Sequence, residues 1–147
     1  HAVAIASPNE AGHIVTRVTT HRTMGQVDER LAEIRADHPS LYILVTPGYV
    51  DRLTSRFDGL VGQREMVVAT QVLQDLFSRT QIRHDGNIIL QEHFAGTRIG
   101  MRQGGWVLTS PMGSSGIYAA RATAFAISQA AKTPRGMATI RSRRRLT

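Results

Sequence analysis

At 147 residues and 16.2 kDa, the chain is long enough for one domain with a true hydrophobic core. Hydrophobic residues at 41% and charged residues at 20% exclude wholesale disorder, and the absence of cysteine excludes disulfides, thiolate-bound metals and thiol nucleophiles. The net charge of +7 is one-sided: all 11 acidic residues lie at or before Glu92, whereas His93 to Thr147 hold eight arginines, one lysine and no acid.

The predicted elements run as follows. His1 to Ser7 and the β-branched stretch Gly12 to His21 read as strands. Thr23 and Gln26 have capping-box spacing and open a helix with Met24, Val27, Leu31 and Ile34 on one face, ended by His38-Pro39. LYILVT, Leu41 to Thr46, is a continuous apolar run between breakers and predicts a buried central strand. Tyr49 to Phe57 predicts a short helix, Asp58-Gly59 and Gly62 a loop, and Arg64 to Arg79 a long amphipathic helix.

Asp85-Gly86 between Gln81–His84 and Asn87–Glu92 predicts a hairpin, as does Gln103-Gly104-Gly105 between Thr97–Arg102 and Trp106–Ser110. Ser115 to Lys132 predicts a helix and Met137 to Arg141 a last strand. The expected fold class is α+β, with a mixed or antiparallel sheet of about five to seven strands and three or four helices packed on it. Residues 1–134 are expected to form a single globular domain and residues 135–147 a basic C-terminal strand or tail. No stretch reaches the roughly 18 apolar residues of a membrane span. An opening at His1, without methionine or a secretory pattern, is expected of a processed N-terminus.

Two places stand out as candidate binding sites. The first is the loop SPMGSSG, where Ser110, Gly113, Ser114, Ser115 and Gly116 precede a helix. Free N–H groups and the positive end of a helix dipole can hold an anion there. The plainer role is a serine cap with a glycine permitting the turn. The spacing matches neither GxxxxGK[ST] nor GxGxxG. GGWVLTSPMGSSGIYA, about 15 residues, resembles the stretch of the NAD kinase family in which a strand runs into a Thr-Pro-Thr-Gly-Ser-Thr-Ala-Tyr segment. The resemblance implies a small anion- or nucleotide-binding enzyme domain. The family's Gly-Gly-Asp-Gly loop has no counterpart here, so no catalytic residue is carried over.

The second is the basic end, where Arg135, Arg141, Arg143, Arg144 and Arg145 can neutralise phosphates or carboxylates. Its plainer roles are a solvated tail and the charged guard of an edge strand.

Histidines give no metal-ligand spacing: His13 and His21 share a strand face but lie about 27 Å apart at roughly 3.4 Å per residue. G-x-S-x-G is absent, and Glu92 and His93, adjacent on a predicted strand, point to opposite faces. Ala119 to Ala131 is apolar nearly all round, which suits a helix in the core or against a partner. No cofactor is expected. The sequence therefore points to a non-enzymatic structural or assembly module in a larger complex. Its basic C-terminal half would contact an acidic protein surface or nucleic acid, in an assembly of virion, conjugation or ribonucleoprotein type, and the expected protein partners include further copies of the chain.

Overall fold

The computed structural model describes residues 1–111 and 114–132, with the backbone alone at Ser114 and Ser115. The chain is mixed α+β, as its patterning predicts, and the described strands fall into three small sheets. Two strands, β1 (Ala2–Pro8) and β2 (Ile14–Thr20), pair antiparallel from Ala2↔Thr20 to Pro8↔Ile14. Helix α1 (Met24–Asp37) follows, and its start is the predicted capping box. Thr23 Oγ1 accepts the Gln26 N–H at 3.3 Å, and Gln26 Oε1 accepts the Thr23 N–H at 3.4 Å. Val27, Leu31 and Ile34 form its buried face.

The next stretch departs from the pattern reading. Of LYILVT only Leu44–Val45 forms a strand, β3, in a two-stranded parallel sheet with β4 (Gly59–Leu60). It is not a central strand, because the loop after it takes its hydrogen-bonding edge. Asp58 Oδ2 accepts the Ile43 N–H at 2.8 Å, Ile43 O accepts the Asp58 N–H, and Val45 O accepts the Val61 N–H. The run is apolar because residues on both its faces make core contacts, although Tyr42 is exposed. Ile43 and Val45 pack with Val27 and Leu31 of α1, and Leu44 packs against the main core. The helix predicted over Tyr49–Phe57 is a 3-10 turn at Pro47–Arg52. Asp28 ends the segment by accepting the N–H groups of Thr54 and Ser55.

Helix α2 (Gln63–Ser78) forms as predicted, with Met66, Ala69 and Leu73 inward. The hairpin predicted around Asp85-Gly86 does not form. Strand β5 (Ile82–His84) pairs parallel with β2 at Ile14–Thr16, and α3 (Ile88–Ala95) replaces the second strand. Gly86, at φ +79°, does turn the chain, but into a helix. Asn87 decides the outcome. Its side-chain oxygen accepts the Leu90 N–H at 3.1 Å, capping α3, while its Nδ2 donates to Val18 O at 3.2 Å.

The second predicted hairpin forms: β6 (Arg98–Arg102) pairs with β7 (Gly105–Thr109) across a two-residue turn. A 3-10 turn at Ser114–Ile117 then leads into α4 (Tyr118–Lys132). The main core lies between α4, α2, β7 and the β1–β2 sheet, where Met66, Ile117, Ala120, Ala124 and Ile127 are almost fully enclosed.

The nearly all-apolar circumference of α4 now has a reason. Ala119, Ala120, Thr123, Ala124, Ile127 and Ser128 are buried on one side. Tyr118, Arg121, Ala122, Phe125, Ala126 and Gln129 form a second stripe at helical spacing along a cleft of about 650 Å³. Strand β1, α1 and residues 40–46 supply most of the rest of its lining, with His1, Tyr49, Leu53 and Val61. Among the described residues, no helix is long and apolar enough to cross a membrane.

Candidate functional site

The β6–β7 ribbon exposes large apolar side chains within the basic half. Cross-strand partners share a face, so Arg98, Gly100, Arg102, Gly105, Val107 and Thr109 lie on one side, and Ile99, Met101, Trp106 and Leu108 on the other. The first side packs on α2. Val107 is buried there, and Gly105 comes so close that a Cβ on it would stand 2.8 Å from Val67 Cγ1. Gly105 also holds φ +142°, so the ribbon needs glycine at this position for both reasons.

The second side is largely open. Met101 and Trp106 are direct cross-strand partners and are 55% and 51% exposed, with Ile99 at 41% beside them. Leu108 alone of the four turns into the core. Arg98 and Arg102, both exposed, sit at the two ends of β6. Arg98 donates to the carbonyls of Ala95 and Thr97, and Arg102 to that of Met101. The ion pairs among the described residues are Arg30–Glu33, Arg35–Asp58 and Arg79–Asp75, so neither ribbon arginine is neutralised by one. The ribbon thus offers an aromatic and thioether patch on its open face, with two exposed arginines on the same strand but the other face.

The residues of the predicted anion loop fall between this ribbon and α4. Ser110 directly follows β7, and Gly116 lies in the 3-10 turn, where a Cβ would stand 3.6 Å from Ser110 Oγ. Gly113 and the side chains of Ser114 and Ser115 lie outside the described residues. Arg135, Arg141, Arg143, Arg144 and Arg145, together with the strand predicted over Met137–Arg141, also lie outside them.

Glu92 and His93 are on helix α3, not on a strand. His93 Nδ1 accepts the Ala119 N–H at 3.1 Å, and its ring meets Tyr118 edge-on with centroids 4.6 Å apart. Burial lowers the His93 pKa below its ordinary value, against a weaker upward pull from Glu92. The neutral imidazole thereby serves as an acceptor for the first turn of α4, a role its sequence neighbours did not advertise. Among the described residues, no group of three or more His, Asp or Glu side chains is placed to hold a metal ion.

Neither the exposed Met101–Trp106 pair nor the cleft was singled out by pattern. The alternation of β6 and β7 was legible, but which face is covered depends on where α2 docks. No protein-family model matches the chain, and neither a curated protein nor a solved structure does.

Proposed function

We propose that the chain is a non-enzymatic assembly module whose β6–β7 ribbon and basic C-terminal half dock on an acidic protein surface. One observation carries this reading. The exposed Met101–Trp106 pair lies on one face of a ribbon whose first strand also carries the exposed Arg98 and Arg102, in a part of the chain that has no carboxylate from His93 onward. Exposed aromatic, methionine and arginine side chains are what protein interfaces are enriched in. A local charge of one sign adds steering toward a partner of the other.

The arginines of the C-terminal end, Arg135, Arg141, Arg143, Arg144 and Arg145, extend the same charge in sequence.

Trp106 is the single tryptophan, so its emission reports on the ribbon directly. Titration with polyglutamate at low ionic strength is expected to shift the Trp106 emission to the blue. The shift should reverse with added salt and weaken in Arg98→Glu/Arg102→Glu and on deletion of Arg141 to Thr147. Light scattering on the same samples gives the oligomeric state. A monomer whose emission ignores polyglutamate overturns the reading. A response to single-stranded RNA but not to polyglutamate reassigns the partner as nucleic acid.

A further inference from the structure

The cleft between α1 and α4 lies apart from the ribbon and needs its own explanation. Its volume, about 650 Å³, is within the range of small-molecule sites. Its lining is dominated by alanine, valine, isoleucine and leucine side chains from β1, α1, residues 40–46 and α4, and among the described residues it includes no aspartate or glutamate.

Arg121 of α4 lines this surface and is the only arginine or lysine in the lining among the described residues. Arg121 is part-buried, and among the described residues it has neither an ion pair nor a hydrogen bond. The other basic group of the lining, His1, is already engaged. Its ring nitrogen is hydrogen-bonded to the Tyr49 hydroxyl at 3.0 Å, and its amine donates to His21 O.

A sheltered arginine without a carboxylate loses hydration and receives nothing in return. A ligand carboxylate would restore the balance, since its two oxygens match the planar fork of the guanidinium. One available cation selects one negative charge. Beyond Arg121, Ala122 and Ala126 continue along α4, and Val27, Leu31 and Ile34 line the cleft from α1, so the rest of the ligand must be hydrocarbon.

We propose that this cleft binds a single-chain amphiphile with one carboxylate, its head on Arg121 and its tail along the α1 and α4 walls. The test compares laurate with lauryl alcohol and dodecylamine by calorimetry on the full chain, all below their micelle-forming concentrations. Laurate is expected to bind about tenfold more tightly than the alcohol, and the amine least. Arg121→Gln should erase the preference for laurate over the alcohol, and Arg121→Lys should keep part of it. Ala126→Trp, which fills the cleft, should remove binding of both.

Equal binding of laurate and its alcohol overturns the proposal, as does laurate binding that Arg121→Gln leaves unchanged. Should Ala126→Trp fail to fold, the Arg121 variants still decide. A stable dimer that takes up no laurate and cross-links through Arg121→Cys overturns it in favour of a second copy of the chain. None of these outcomes depends on Trp106 or on polyglutamate.

Discussion

Arg35 and Asp58 meet at 2.7 Å, Nη2 to Oδ2, and the same carboxylate oxygen accepts the Ile43 N–H at 2.8 Å. Arg35 also donates to Leu41 O at 2.8 Å. The pair therefore stitches the end of α1 to both sides of the 41–46 segment. Asp58→Ala is expected to lower stability by about 1–2 kcal/mol, because it leaves the Ile43 N–H without its acceptor and Arg35 without its carboxylate. Urea unfolding measures the loss. Amide exchange should show Ile43 among the most accelerated positions.

Acid should weaken the fold in two stages. Burial holds His21 and His93 below the ordinary 6.5. A histidine depressed in the folded chain contributes stability that is complete above 6.5 and is lost as pH falls through its folded pKa. Asp28, Asp58 and Glu65 are held below the ordinary carboxylate values of 3.8 and 4.5, chiefly by backbone N–H donors from Ser55, Ile43 and Gly62 respectively. Their contribution disappears in the same direction at lower pH. Tm is expected to fall first below 6.5 and again below about 4. His93→Gln keeps an acceptor near Ala119 but cannot titrate, so it should flatten the first stage and leave the share of His21.

Gly105→Ala should cost about 1–3 kcal/mol, from the positive φ and the 2.8 Å approach to Val67 together. Adding Val67→Ala relieves the approach but not the backbone strain, so it should recover only part of the loss. Gly104 has φ +99° with nothing within 4 Å of a Cβ. Its alanine variant therefore isolates the strain. Thermal denaturation of the three variants separates the two effects.

Two buried threonines should respond in opposite ways to valine. Thr70 Oγ1 donates to Met66 O at 2.8 Å, so Thr70→Val should cost about 1 kcal/mol. Thr123 Oγ1 is buried with no hydrogen-bond partner among the described residues. Thr123→Val should leave stability unchanged or raise it by up to about 1 kcal/mol. Denaturant midpoints of the two variants check the sign.

Exposed and buried positions on one face of the β6–β7 ribbon should also separate. Trp106→Ser is expected to cost less than about 1 kcal/mol, the worth of one exposed cross-strand pair. Leu108→Ala, on the adjacent residue pair, should cost about 2–5 kcal/mol as a core truncation. Chemical unfolding of both measures the contrast.

What the sequence made legible were elements whose signal is local. The capping box at Thr23, the stripe of α2 and the Gln103-Gly104 turn each depend on residues within a few positions of one another, and each formed, although Phe77 at the end of the stripe is exposed and Gly105, read as part of the turn, opens β7. Where a distant partner decides, the pattern failed. Ile43 and Val45 look like a central strand because apolar residues alternate without a polar face. The carboxylate that captures their edge is 15 residues away at Asp58. Ile88–Glu92 looks like a strand until the Asn87 side chain finds both Leu90 and Val18. The cleft was invisible for a related reason. An alanine at 122 reads the same whether it meets a core or open space, and only the docking of α1 tells them apart.

The parallel pairing of β5 with β2 sets an order of events. Strands β1 and β2 are joined by a short loop and can close their register as soon as Thr20 has been made. The other edge of β2 must wait until Ile82–His84 has been synthesised, with α1 and α2 in between. Helix α4, which covers the sheet and completes the core, is made later still. A nascent chain halted before Ile82 would therefore present a bare β2 edge, and one halted anywhere before Tyr118 an uncovered apolar sheet face. Chaperone engagement during synthesis should be strongest over that interval and should fall once α4 has left the ribosome.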